Sequence, residues 1–259
     1  AQDNNGYYLN TTYFFKYEPL TWTVLDPEEG YVMSNIAIDA QAYENFSYYD
    51  PDSFDSASGP MVYNGKDCKY LANDWSKCSL REWLNKDFYN TAFTAEEKAQ
   101  IGKTYLNNNN YFNSSLDGAG TFDKIFTISF YDAINSDYGF DENGSRTDFA
   151  RARPATDYAK CQGVDAADTT GTLPYWWLRT TGLYGAFAFG VAPGGWIVSS
   201  GGGYYNVNRT DMGVVPAFKF NPKTPTLAKG SKIEFGSYPQ SEVTDADEVA
   251  KLEADSENY

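Results

Sequence analysis

The chain has 259 residues, 17% of them aromatic and 42% hydrophobic, with a formal net charge of −15 and a pI near 4.3. This length and aromatic content suit one large folded domain, or one domain with a partial second, and exclude a disordered chain. The acidic balance leaves no basic face for nucleic acid, and no apolar run approaches the roughly 18 residues of a spanning helix, so direct membrane insertion is not expected either.

The start, Ala1-Gln2-Asp3 without an initiator methionine, reads as that of a chain trimmed of its targeting segment. Strand-like alternation follows at Tyr13–Tyr17, Leu20–Leu25 and Tyr31–Met33, with breaks expected at Glu18-Pro19 and Asp26-Pro27 because proline cannot donate to a ladder. Residues 44–78 are polar, acidic and rich in Tyr, Ser and Asp, and read as a long surface loop. Ser79-Leu80-Arg81-Glu82 has the spacing of a capping box, with Leu80, Trp83, Leu84 and Phe88 on one apolar face. Thr94-Ala95-Glu96-Glu97 opens a second short helix in the same way, and the run Asn107 to Asn110 ends that pattern in a loop. Ile125–Ile128 is a candidate buried strand, 135–147 a polar loop, and Ala155–Cys161 a helical turn or two after Pro154.

From Tyr175 onward the pattern changes to short strands separated by glycines. Tyr175–Arg179, Ala186–Val191, Trp196–Val198, Tyr204–Val207 and Val214–Phe218 read as a β-meander closed by Asn221-Pro222. The tail adds a strand at Ile233–Phe235 and a helix near Asp245–Leu252. The expected fold class is α+β, with short helices in the first half and a strand-rich, glycine-rich second half. Residues 1–228 form the main domain and 229–259 a tail.

Between Arg179 and Arg209 there is no charged side chain. Gly, Ser, Asn and aromatic residues dominate the stretch, the vocabulary of antibody loops, in which Tyr and Trp supply contact area and small polar residues adapt. Trp176, Trp177, Leu178 and Arg179 read as framework, since adjacent strand residues point to opposite faces. Further on, Tyr184, Phe187, Phe189, Trp196, Tyr204 and Tyr205 have few aliphatic neighbours to pack against. They read as exposed anchors, with core packing as the alternative, most of all for Phe187 and Phe189, which share one face. Leu183, Ser199, Ser200, Asn206, Asn208, Thr210 and Asp211 complete the expected binding face.

The chain has no histidine, which removes Ser-His-Asp and Cys-His catalysis and the helix-borne zinc protease motif. The glycine runs lack the Lys-Ser/Thr of a phosphate loop. A carboxylate pair for glycoside hydrolysis stays open, because 35 acidic residues place some pairs close together. Asp141-Glu142-Asn143-Gly144 offers oxygens to calcium but lacks a full alternating ligand series. No catalytic residue, metal ligand or other cofactor is assigned. Cys68 and Cys78 either bridge in a small loop or stay free, and Cys161 has no partner left.

Five segments carry a resemblance: Tyr17–Leu25, Ser79–Asn85, Thr156–Lys160, Trp176–Arg179 and Gly213–Phe218. Together they resemble an uncharacterised bacterial domain family with a C-type-lectin-like fold, related to the formylglycine-generating-enzyme group. In that family the stretch between the last two segments often serves as the variable region of a diversity-generating retroelement. The resemblance implies a non-enzymatic display protein with a variable region at about 180–212, in which Gly182, Val191, Gly195, Val198, Val207 and Gly213 are scaffold. It implies a protein or surface-glycan partner and an extracellular, cell-surface or virion location; a carbohydrate-binding module is the alternative. Three departures stand out. Val215 replaces the family's usual Arg, and the later half lacks the enzyme group's cysteine pair. Lys232–Gln240 resembles the family's opening strand, yet lies near the end of this chain. Either it begins a truncated second copy or it supplies an edge strand, with Ile233–Phe235 expected beside residues 13–17.

Overall fold

A computed structural model describes residues 2–44, 62–63, 66–67, 72–112, 114, 117–166, 168–182, 187–198, 205–221 and 227–256. In chain order the first strands are β1 (Phe15–Asp26), β2 (Tyr31–Ser34), β3 (Asp39–Ala40), β4 (Val62–Tyr63) and β5 (Lys66–Asp67). Helix α1 (Ser79–Trp83) runs through a π-helical turn (Leu84–Phe88) into α2 (Tyr89–Ala92), and α3 (Ala95–Gln100) follows. Next come β6 (Thr104–Leu106), β7 (Thr121–Asp123), α4 (Phe130–Ala133) and α5 (Asp157–Cys161). The second half supplies β8 (Trp176–Thr181), β9 (Phe187–Val191), β10 (Ile197–Val198), β11 (Tyr205–Asn206), β12 (Gly213–Val214) and β13 (Ala217–Lys219). The tail holds β14 (Lys232–Glu242) and α6 (Ala246–Ser256). The fold is α+β.

One sheet has the order β13-β2-β1-β14. Leu20, Trp22 and Val24 alternate inward along β1 and are fully buried, as a half-covered strand requires. The break expected at Pro19 does not occur. β1 runs through it opposite Ser237, with a register shift between Pro19 and Thr21 that absorbs the missing donor. The tail strand is present and pairs with β1, but Ile233 and Glu234 lie opposite Trp22 and Thr21, beyond the expected 13–17, where Glu242 and Pro239 face Phe15 and Tyr17 instead. The core sets this register. The Trp22 indole N–H donates to the Phe235 carbonyl at 2.7 Å, while the Phe235 ring packs on Phe93, Phe218 and Phe220. A one-residue slip would turn that ring to the other face.

The second sheet has the order β10-β9-β8-β12-β3, with β11 also on β9. It is not the expected meander, because β12 runs parallel to β8 and β11 pairs with the same strand as β10. Every residue of β8 is buried, so the apolar doublet Trp176-Trp177 is covered on both faces. Each indole N–H finds a carbonyl, on Arg151 and Gln41 respectively.

Local chemistry accounts for the helices. Thr94 and Glu97 close the expected capping box of α3. The box expected at Ser79 does not form: Cys78 is the N-cap, Ser79 donates its hydroxyl to Glu44, and Glu82 pairs with Lys86 instead. Ile125, Phe126 and Ile128 are buried but make no strand, because only an isolated bridge joins Phe126 to Ala217. Cys78 is a buried free thiol, and Cys68 lies outside the described residues.

Candidate ligand-binding face

The support for the second sheet's outer end is a buried guanidinium. Arg151 is fully enclosed and donates to five carbonyls, those of Gly195, Ala133, Asp141, Asn143 and Arg146, while Asp148 balances its charge at 3.2 Å. Several of the oxygens considered for calcium take part in local hydrogen bonds. The carbonyls of Asp141 and Asn143 serve Arg151, and their side chains accept from the amides of Asn143 and Ser145. Glu142 accepts from the Ser136 hydroxyl. Beside this network Gly195 has φ +80° and lies so close to the Asp148 carbonyl that a Cβ would fall 1.8 Å from its oxygen. Only glycine fits there, and the turn it makes presents Trp196 at 39% exposure.

The window residues divide between inside and outside. Phe189 is fully buried, a correction to its expected place on the binding face. Its ring lies between Phe130 at 5.3 Å and Tyr111 and Phe112, both at 5.8 Å. Phe187, on the same face, is half-buried, packs against the core, and accepts from the Asn73 side chain through its carbonyl. Tyr205 is half-buried too, laid against Tyr175 at 5.3 Å and Trp177 at 6.3 Å, with the Arg209 guanidinium over its ring. Gly190 makes room for it, since a Cβ there would meet the Tyr205 ring at 2.8 Å. Asp211 is held in a fork by Arg209, with both contacts at 2.8 Å, and its side chain stays 40% exposed. Asn206 and Asn208 are half-buried, and Thr210 is exposed. Val191 and Val207 are buried as expected for scaffold. Leu183, Tyr184, Ser199, Ser200 and Tyr204 lie outside the described residues.

The aromatic surface that the structure does present begins upstream of the window. Tyr111, Phe112 and Tyr131 are 42%, 39% and 51% exposed. Tyr111 touches Phe112 edge-on at 4.9 Å, Phe130 at 4.5 Å and Tyr131 at 6.0 Å, so the three outer rings rest on the inner pair Phe130 and Phe189. Asn110 ties this loop to the end of β8, donating to the Thr181 hydroxyl at 2.7 Å and the Gly182 carbonyl at 3.0 Å. Reading Asn107 to Asn110 only as a helix stop passed over the aromatic doublet that follows it. Tyr111-Phe112 sits in polar sequence with few aliphatic neighbours, as the aromatics of the window do.

Next to these rings lies a polar cavity of about 230 Å³, lined by Asn107, Asn108, Asn109, Ser129, Tyr131, Asp132, Arg179 and Thr180. Ser129 caps α4, and its amide and hydroxyl donate to Asp132 Oδ2 at 2.8 and 2.7 Å. Arg179, expected only as framework, reaches the cavity with its head group. Its Nη1 donates to the same Asp132 oxygen at 3.0 Å and to the Thr127 carbonyl at 3.2 Å. Its Nε has no hydrogen-bond partner, and neither has Asn108 Oδ1.

A family model described as "Domain of unknown function (DUF6273)" matches residues 57–222, more than half of the chain. The chain belongs to the DUF6273 family. No curated protein and no solved structure matches it. The DUF6273 span contains every residue of the aromatic patch and of the polar cavity, whereas β1, β2, β3 and β14 lie outside it. In this DUF6273 protein the first sheet is thus built largely from flanking sequence, and the patch and cavity from the family domain itself.

Proposed function

We propose that this DUF6273 protein is a non-enzymatic display protein on a C-type-lectin-like variant of the α+β fold. It recognises a protein or a cell-surface glycan, outside the cell or on a virion. The observation that carries this reading is the stack of exposed Tyr111, Phe112 and Tyr131 on buried Phe130 and Phe189. Clustered exposed aromatics on a rigid base mark interaction sites. The window from 180 to 212 borders this patch, since Gly182 is bonded to the loop that bears Tyr111 and Phe189 underlies it. Diversifying the exposed positions of that window would reshape the rim, while Phe189, inside the window but buried, has to stay aromatic for the base to hold.

The test is binding to printed arrays of extracellular proteins and glycans, wild type against Tyr111→Ala. A loss of about 2 kcal/mol in binding at the array hit is expected of an anchor ring; unchanged affinity would remove the patch from the reading. The encoding locus tests the diversification separately. The expected finding is a reverse transcriptase gene beside an adenine-substituted copy of codons 180–212, and without both that part is lost.

A further inference from the structure

We infer that a second cavity, between β1, β14 and the loop that carries Arg153, binds an organic anion: one carboxylate on an aromatic or short acyl body. It shares no residue with the Tyr111 patch and goes beyond the binding reading above.

The charges in the wall set the head group. The cavity holds about 410 Å³, within the range of small-molecule pockets. Its charged lining residues are Arg153 and Lys232, both cations, with no Asp or Glu beside them. In a chain with 35 acidic residues against 20 basic ones, that reverses the overall balance. The cavity next to Tyr131 shows the ordinary arrangement, in which Arg179 is matched by Asp132 at 3.0 Å.

Arg153 is 7% exposed and is held by neutral acceptors. Its Nε donates to the Ser34 carbonyl at 2.8 Å, and its Nη1 to the carbonyls of Ala150 and Ala152 at 2.7 and 2.8 Å. Asp148, the acid whose charge reaches it, is bonded to Arg151 instead at 3.2 Å. Burial accordingly lowers the guanidinium from the ordinary 12.5 to about 10, as befits a cation short of countercharge. Nη2 carries two hydrogens, and its contact is the Met33 sulfur at 3.6 Å, a weak acceptor. At least one strong donor is therefore left for a ligand. Lys232 opens β14, stands exposed, and makes no ion pair among the described residues.

The rest of the wall sets the body. Leu25 and Phe140 are buried, Tyr138 is half-buried, and Phe149 is 72% exposed. Inorganic phosphate would answer the cations and leave this apolar surface wet, whereas a neutral apolar molecule would do the reverse. A carboxylate is acceptor-only, and its two oxygens can take hydrogen bonds from both cations while the body covers the rings.

The experiment titrates the whole chain with phenylacetate and hexanoate, with their neutral amides, and with inorganic phosphate, followed by calorimetry and NMR. At least one carboxylate is expected to bind with about millimolar affinity or tighter, and its amide and phosphate at least about tenfold more weakly. Lys232→Gln and Phe149→Ala, both at exposed positions outside the hydrogen bonds of Arg153, should each weaken that carboxylate about fivefold or more. A carboxylate bound no better than its amide, phosphate bound as well, no probe bound at all, or affinity unchanged in both variants overturns the inference. A pentapeptide ending in phenylalanine, with its end free or amidated, separates two sources of the same chemistry. Binding of the free-ended form alone extends the site to the chain ends of a partner; phenylacetate binding without it assigns the site to small acids.

Discussion

Asp39 ties the two sheets together and should make the protein's stability fall as pH rises through weak acidity. It sits on β3 at 3% exposure, its Oδ1 accepts from the Ala40 amide at 2.7 Å, and its Oδ2 accepts from the Tyr238 hydroxyl of β14 at 3.1 Å. Burial raises its carboxyl from the ordinary 3.8 to about 6, although those hydrogen bonds pull it down. Between these two values the folded protein holds a proton that the unfolded chain has lost. The contribution is therefore complete below pH 4 and is lost as pH climbs through 6. A rise of about two units corresponds to roughly 3 kcal/mol. Asp39→Asn stays neutral throughout and keeps an acceptor for the Ala40 amide. Urea unfolding at half-unit steps from pH 4 to 7.5 should show the variant gaining about 3 kcal/mol on the wild type across that range. Tyr238→Phe removes a bond that favours the ionised form, and should shift the wild-type midpoint upward. A difference between wild type and Asp39→Asn that does not change with pH would refute the reasoning.

Two further substitutions probe the support of the face. Gly195→Ala places a Cβ 1.8 Å from the Asp148 carbonyl oxygen at φ +80° and displaces the acceptor of Arg151 Nε, so thermal or urea unfolding should show a loss of about 3 kcal/mol or more. An effect within about 0.5 kcal/mol would mean the turn is not fixed by that contact. Phe189→Ala should cost about 3–5 kcal/mol of stability, and Tyr111→Ala, at a partly exposed ring, less than about 1 kcal/mol; equal losses would contradict the division into inner and outer rings.

Much of the framework could be read from local chemistry, because the forces that set it act over a few residues. Thr94 and Glu97 cap α3 as their spacing implies, and the doublet Trp176-Trp177 needs cover on both faces and has it. Where the reading failed, a distant partner decided. Pro19 ends no strand because β14, more than two hundred residues later in the chain, pairs across it with a shifted register. Ser79 and Glu82 have the spacing of a box, yet Glu44 and Lys86 offer each of them another partner. Strand order in the second sheet was hidden for the same reason, since nothing near Gly213 announces that it will lie parallel beside Trp176.

The candidate site shows the same limit in its most instructive form. Composition marks Phe187, Phe189 and Tyr111-Phe112 alike as aromatics with few aliphatic neighbours, and period two places Phe187 and Phe189 on one face of β9. It cannot say which face is covered, because the cover is the Asn107–Phe112 loop, anchored by Asn110 to Thr181 and Gly182. Once that loop is down, Phe189 becomes the floor and Tyr111 the surface of one stack. An exposed ring binds well only if something rigid holds it. The aromatics assigned to contact and those assigned to packing are therefore two layers of one device, and only the tertiary contact shows which residue belongs to which.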